Sequence, residues 1–547
     1  MKNKAVRHIL SLVITLLFGL VAYYLTLPAL SIHSTSLFVF ITVLLGVYNL
    51  SYFILSASSF KFFSIYNHRP VFSAGSSKGL FKASLIIVGV FILTGIVGGL
   101  TSAKIFNASR YQSMLNVQPG NFEDDVHQVS YDKIPSLDYD SAVVLGNRKM
   151  GEMSDFVSQF EVTDRYTQIN FQGRPVRVTP LKYVDFIKWL NNTKKGIPGY
   201  LRIDMVTQEV TLVRLEEGIK YTPDEHFGKN LTRLLRFKYP TFIFEDETFE
   251  IDDNGTPYWI CPKLKFTIGL YGGVDIDGAV LVNAVTGESK YYPIDEIPEW
   301  VDRVYNAELL IEQYNNYGTL KHGYFNSIFS QRDSQMTTEG YNYIVINDDI
   351  YMYTGVTSVA SDESNIGFVL INQRTKETKY YAIPGAEEFS AMSSAEGNVQ
   401  HLGYRAVFPI LLNVGGEPTY FIPLKDNSGL VKMYAMVNVK QYQIVATGEN
   451  IATCEKSYIK LLQQSNIGQT SSLFGEITGK ITDIRSAVIE GNTNYFITLD
   501  TGEKTYQISA AADSSAVLLN IGDTITVTIR SSDESLSIIP IQKFIKS

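Results

Sequence analysis

Apolar positions form three different patterns along the chain. They are nearly continuous from about Ile9 to Leu30, Leu37 to Ala57 and Ser84 to Phe106, and each run is close to the roughly 20 residues a helix needs to cross a ~30 Å hydrocarbon layer. Beyond residue 107 they alternate in short strand-like runs bounded by Gly, Asn and Pro, with stretches at helical spacing between them. A closely spaced set of strand-like runs ends the chain. The patterns predict an α+β protein with three N-terminal transmembrane helices, tandem antiparallel sheet/helix modules and a C-terminal β-barrel. A cleaved signal peptide would also place basic residues (Lys2, Lys4, Arg7) before an apolar run, but this run is too long and two more spans follow.

The middle region repeats itself. Gly-x-Pro-x-x-x-x-Pro occurs at Gly173 to Pro180, Gly255 to Pro262 and Gly416 to Pro423, with a degenerate copy from Asp348 to Gly355. Strand-like runs precede the copies at Tyr166 to Phe171, Thr248 to Ile251, Tyr343 to Ile346 and Val407 to Leu412. Gln172-Gly173, Asn254-Gly255, Asn347-Asp348 and Gly415-Gly416 stand at the junctions, where tight hairpins need positive φ. A second motif follows each: Ile203-Asp204-Met205-Val206-Thr207-Gln208-Glu209, Val282-Asn283-Ala284-Val285-Thr286-Gly287-Glu288 and Ile371-Asn372-Gln373-Arg374-Thr375-Lys376-Glu377. The copy from Val437 to Gln443 is the weakest. An Asn or Asp at such a place bonds the backbone two residues on and fixes a turn. Four modules are expected, at 151–222, 223–320, 321–398 and 399–466, after an anchor at 1–106 and a connecting segment at 107–150.

Helical spacing is expected over Pro180 to Asn191, Pro223 to Phe237, Glu296 to Tyr314 and Ile451 to Gln464, each helix covering one face of a sheet. The first would place Leu181, Val184, Phe186, Ile187 and Leu190 on one face. A linker to Ser472 leads to strands at Phe474 to Ile489, Tyr495 to Leu499, Lys504 to Ile508, Thr524 to Ile529 and Leu536 to Ile539. The single helical candidate, Ala510 to Asn520, falls between the third and fourth. That order resembles an OB-type barrel over 473–547.

The hydrophobic-Asp/Asn-x-x-Thr-Gly-Glu hairpin, closest at Val282 to Glu288, resembles the PepSY domain of protease propeptides and bacterial envelope proteins. Gln208 and Lys376 replace the Gly in the first and third copies, and the fourth lacks both Thr and Gly. The resemblance implies binding or restraint of peptidases and no catalytic residues.

Charge changes the picture by its distribution. The formal net charge of −8 hides a basic first part: eight Lys or Arg and no acid up to residue 106, leaving 39 − 55 = −16 for the rest. Lys2, Lys4 and Arg7 precede the first span, and Lys61, Arg69, Lys78 and Lys82 lie between the second and third. The positive-inside rule therefore predicts a cytoplasmic N-terminus and an extracytoplasmic region 107–547, at a plasma membrane. The spans carry no ionisable residue in their middle, which disfavours a transporter. Acidity disfavours nucleic acid as a partner, and the tail, with six Lys or Arg against nine Asp or Glu from Gly475, lacks a basic face.

Candidate chemistry is sparse. Gly95, Gly99 and Ala103 form a small-residue stripe, a candidate helix contact within the anchor or between copies. Cys261 and Cys454 are far apart and read as small buried hydrophobes. The outer histidines (His127, His226, His322, His401) are isolated, and Gly75-Ser76-Ser77-Lys78-Gly79 matches a nucleophile elbow only by letter. Glu245, Asp246, Glu247, Glu250, Asp252, Asp253, Asp275 and Asp277 are acidic but lack calcium-loop spacing. No catalytic, metal or cofactor residue is assigned. Tyr258, Trp259, Tyr291, Tyr292, Tyr380, Tyr381 and Tyr420 recur at equivalent places and are the candidate binding-surface aromatics, one of each adjacent pair being expected in the core.

The expected function is an extracytoplasmic binding or scaffolding protein that contacts or regulates envelope proteins, with no cofactor. The alternatives are a wall-polymer hydrolase using paired carboxylates and an accessory subunit of a membrane complex.

Overall fold

The computed structural model describes residues 4–57, 78–127, 133–359, 364–465, 467–468, 474–489, 491–530 and 536–546. Lys61, Arg69, Gly75 to Ser77 and Gln469 to Ser472 of the expected linker lie outside the described residues. Helices α1 (Lys4–Thr26), α2 (Thr35–Ala57) and α3 (Lys78–Ser102) are each long and apolar enough to cross a membrane. They present Leu16, Leu20, Ile86 and Leu93 outward rather than into a protein core, as lipid-facing helices do.

The third span was expected to reach Phe106, but the chain turns at Ala103 (ψ 140°) and a separate helix, α4 (Lys104–Gln112), begins. The helix stops where its end groups find partners outside the span. The Tyr271 N–H donates to Ser102 Oγ at 2.9 Å, and the Tyr111 hydroxyl donates to the Ser102 carbonyl at 2.7 Å. The stripe makes no contact within the chain: Ala103 is outside the helix, and a Cβ at Gly95 or Gly99 would meet nothing within 4 Å among the described residues. Gly98 makes the close approach instead, against Leu270 and Tyr271. The loop between α1 and α2 docks on the same side. The Leu30 N–H donates to the Pro240 carbonyl at 2.7 Å, and the His33 ring stacks on Phe266 at 5.2 Å.

Four main sheets follow, antiparallel except where Val117–Pro119 joins the third parallel to Thr378–Tyr381. Their main strands succeed each other as meanders: Thr167–Phe171, Arg174–Tyr183, Ile197–Asp204 and Val210–Ile219; Thr248–Ile251, Pro257–Ile268, Gly272–Asn283 and Ser289–Pro293; Asn342–Ile346, Asp349–Ser358, Gly367–Asn372 and Thr378–Tyr381; Ile410–Val414, Glu417–Lys425, Val431–Asn438 and Val445–Gly448. The opening hairpins turn at Gln172-Gly173, Asn347-Asp348 and Gly415-Gly416, all with positive φ. A second turn recurs atom for atom. Asp204, Asn283 and Asn372 each accept the N–H groups two and three residues on, and Thr207, Thr286 and Thr375 each accept the N–H of the Glu two residues later. Asn438 accepts only the Gln441 N–H, matching its divergent sequence.

Helices α5 (Tyr139–Gly151), α6 (Phe186–Asn192), α7 (Leu231–Lys238), α8 (Ala307–Thr319), α9 (Glu388–Asn398) and α10 (Ile451–Gln464) accompany the sheets. The expectation that each sheet is covered on one face is corrected. In the second sheet Trp259, Cys261, Val280 and Val282 share a core with Leu231 and Leu235 of α7 and with the first sheet. Ile260, Ala279 and Leu281 face the opposite way, onto Leu310 and Tyr314 of α8 and the third sheet. The third sheet is likewise covered twice, Tyr353, Phe368 and Leu370 meeting Ala391 and Ala395 of α9 and the fourth sheet. Unbroken runs such as Phe368-Val369-Leu370-Ile371 carry this double burial in the sequence, since both strand faces must be apolar. Helix α9 escapes sequence reading because its buried face is little more than two alanines.

The expected helix over Pro180 to Asn191 is also corrected. Pro180 and Leu181 belong to a strand, and only α6 is helical. Its Phe186, Ile187 and Leu190 are exposed.

At the C-terminus, Phe474–Ile489 pairs with both Asn492–Leu499 and Thr524–Arg530. Thr505–Ser509 runs parallel to Ile538–Lys546, which returns antiparallel to Thr524–Arg530, so the pairing closes on itself.

Candidate functional site: a cationic cleft between the sheets

The stacked sheets leave a cavity of about 600 Å³ where the first, third and fourth approach one another. Arg177 enters it from the strand Arg174–Tyr183, and Arg303 from the loop before α8. Tyr341 and Tyr343 open the third sheet, Phe408 and Lys425 come from the fourth, and Asp138, Tyr139 and Tyr166 close the remaining side. Asp138 is fixed twice. It caps α5 by accepting the Ser141 N–H at 3.3 Å, and its other oxygen takes Lys425 Nζ at 2.6 Å.

That ion pair satisfies the lysine and leaves the two arginines. Arg177 is only 7% exposed, and its Nε has no partner among the described residues. The Tyr166 hydroxyl, the Arg303 Nε and both amide atoms of Gln168, which pairs with Arg177 across the strands, are equally unpartnered. Arg303 lies over the Tyr343 ring at 5.2 Å and donates to its hydroxyl at 3.3 Å. Burial brings the Arg177 guanidinium down to about 10, so it is still cationic at neutral pH. Buried polar groups are nearly always paired, because leaving one unpaired costs about 1–3 kcal/mol. A guanidinium fork and a tyrosine hydroxyl without acceptors are matched by a bound carboxylate or similar planar anion.

The aromatics singled out from the sequence lie elsewhere, and three of them are corrected. Trp259, Tyr381 and Tyr420 are core residues, not surface ones. Trp259 Nε1 donates to the Tyr221 carbonyl at 2.9 Å, and the Tyr420 hydroxyl to the Ala386 carbonyl at 2.9 Å. Tyr258 and Tyr380 are half-buried, against Trp300 and the Ile366 carbonyl. Tyr291 donates to the Asp277 carbonyl, and Tyr292 lies beneath Lys290. None lines the cleft. Covering the sheets on both faces buries even the outward ring of a pair. The cleft tyrosines were missed, although Val176-Arg177-Val178, a cation inside an apolar strand, was a visible signal.

The acidic candidates disperse. Asp275 pairs with Lys376 at 2.8 Å, Asp277 with Lys263 at 2.6 Å and Glu247 with Arg165 at 2.9 Å, while Asp252 caps its own turn. Glu250 and Asp302 are both buried, but they accept backbone N–H groups and do not line the cleft. Cys261 and Cys454 are free and buried in different cores.

No family profile and no curated protein matches this chain. Among solved structures, a crystal structure of a B. megaterium levansucrase mutant aligns over 80% of this chain and 93% of its own, at 8% identity and a TM-score of 0.18. At that score the likeness carries no argument about fold or activity.

Proposed function

We propose that this chain is a membrane-anchored binding protein whose outer region, residues 107–547, lies outside the cytoplasm and holds a carboxylate-bearing segment of another envelope protein. The buried Arg177 guanidinium, without an acceptor among the described residues in a tyrosine-lined cavity, carries the reading. Arg303 supplies a second cation, and Tyr166, Tyr341 and Tyr343 supply ring faces and hydroxyls suited to a peptide. The four helix-and-meander units are read as tandem PepSY-like modules, and the closed C-terminal sheet as an OB-like module for protein contact. The PepSY resemblance implies a peptidase as the partner class.

A wall-polymer hydrolase would need two carboxylates facing one open cleft. Glu250 and Asp302 are sealed; Asp138 and Asp140 both line the cleft, but Lys425 stands 2.6 Å from the first and 3.8 Å from the second and offsets their charge, so binding is favoured.

A photocrosslinking residue at Tyr343 in the full chain, in native membranes, tests this. A polypeptide adduct is expected that is competed by a short peptide with a free C-terminal carboxylate and not by its amide, and that is lost in Arg177→Ala. An adduct indifferent to both, or release of wall fragments by the purified protein, overturns the reading.

A further inference from the structure

Outside the spans, a group of large apolar side chains stands in water beside the anchor. Phe186, Ile187 and Leu190 of α6 and Phe227 are 49, 66, 59 and 57% exposed. They form one patch around Trp189, whose ring lies 5.2 Å from Phe186 and 5.8 Å from Phe227. Trp189 is held in place by donating its indole N–H to the buried Glu225 carboxylate. Soluble surfaces rarely gather such residues unless something covers them.

The position of the patch says what covers it. Arg233 donates to the Phe227 carbonyl at 2.6 Å while its guanidinium lies 4.2 Å from the ring centre of Tyr24, in the last turns of α1. Phe237, 56% exposed, packs its ring 5.8 Å from Tyr23, and Arg236 donates to the Leu27 carbonyl at 3.0 Å. The patch is thus continuous with the outer end of a membrane span. Its charge fits as well. The two segments carry Lys188, Lys194, Lys195, Lys229, Arg233 and Lys238 at the surface, Arg236 being buried, against Asp185 and Asp224 at their edges, a basic excess in an outer region of net −16. Apolar and aromatic residues rimmed by lysine and arginine are the composition of segments that lie in a lipid interface.

A second apolar patch, on the π-helical turn Asn326–Ser330, stands beside the third span. Phe325, Ile328 and Phe329 are 63, 49 and 79% exposed, and the adjoining Tyr324 packs on Tyr111 and Ile268. Tyr111 is bonded to the carbonyl that ends α3.

We infer that both patches are inserted in the bilayer leaflet into which α1 and α3 emerge, the α6 patch resting among anionic headgroups, so that the outer region lies down on the membrane rather than standing off it. The inference needs only that the three helices occupy a bilayer and is independent of the cleft.

The test uses the full chain in vesicles of phosphatidylethanolamine and phosphatidylglycerol. Its two native cysteines are buried, so Leu190→Cys, Phe329→Cys and, as a distant exposed control, Val488→Cys can each carry a polarity-sensitive fluorophore. At 190 and 329 the emission is expected to shift to the blue, to be quenched several-fold by lipids spin-labelled near the headgroup, and to resist aqueous iodide. The label at 488 should behave oppositely. Iodide quenching at 190 and 329 equal to that at 488 overturns the inference. So does protection that appears only at high protein-to-lipid ratio, which would mean a second copy covers the patch. A folded Ile187→Glu/Leu190→Glu variant should lose the protection at a label on Phe227→Cys while keeping it at 329.

Discussion

Glu250 and Asp302 meet where three segments converge. The Glu250 carboxylate accepts the backbone N–H of Asp302 at 2.9 Å and of Arg303 at 3.0 Å, and the Asp302 carboxylate accepts the Asn170 N–H at 2.7 Å. The pair ties the first sheet to the second and fixes the backbone from which Arg303 enters the cleft. Burial raises both acids, Glu250 up to about 7, and the neighbouring Glu250 charge raises Asp302 further.

A carboxyl that keeps its proton when folded, after the unfolded chain has lost it, binds more protons in the folded state. Stability contributed by Glu250 is therefore present at low pH and falls as pH rises from its ordinary 4.5 toward about 7. Thermal unfolding of the full chain across that interval should show a declining Tm, and Glu250→Gln should flatten the slope. An unchanged slope in the variant would refute the assignment.

Arg177 should separate binding from stability. Its charge is buried without a salt bridge among the described residues, so Arg177→Met, which keeps the aliphatic packing, is expected to hold or raise stability, by about 1 kcal/mol or more. The same substitution should abolish the carboxylate-dependent crosslink at Tyr343. A clear loss of stability would mean that the guanidinium serves the fold.

The three well-formed turns allow a graded comparison. Asn283→Ala removes the acceptor for two N–H groups and should cost about 1–2 kcal/mol, while Asn438→Ala removes one and should cost less. Gln208, at φ 61°, occupies the place that Gly287 fills in the second sheet. Gln208→Gly should stabilise the protein by up to about 1 kcal/mol, because only glycine adopts that conformation without steric cost. Chemical denaturation midpoints read all three.

Trp259 is fully buried between Phe249 and the α7 core, so Trp259→Ala should destabilise by about 3–5 kcal/mol through the cavity it leaves. If Trp259 served a binding surface instead, the substitution would lower affinity and leave the denaturation midpoint nearly unchanged.

Burial also pushes both thiols upward, Cys454 to about 12. A thiol reagent at neutral pH should leave the native chain unmodified and label two cysteines after denaturation without prior reduction. Rapid native labelling would contradict the packing.

Local chemistry made much of this protein legible. Three apolar runs mark the spans, because a bilayer demands length and hydrophobicity whatever the neighbours are. Gln172-Gly173 and Asn283 to Glu288 mark their turns, because positive φ and an Asn side chain bonded to its own backbone need no distant partner. What the sequence could not carry depends on who lies opposite. Tyr381 and Tyr420 read as surface until a second layer of sheet and helix covers them, and Pro180-Leu181 reads as helix until strand pairing claims it. Arg177 is one cation in an apolar strand until Arg303, Tyr166 and Tyr343, from separate elements, close around it. Sequence by itself determined the anchor, the turns and many of the strands, since these follow from short-range sterics and solvation. The cleft and the exposed patch beside α1 were decided by tertiary structure alone, since both arise from contacts between residues dozens to hundreds of positions apart.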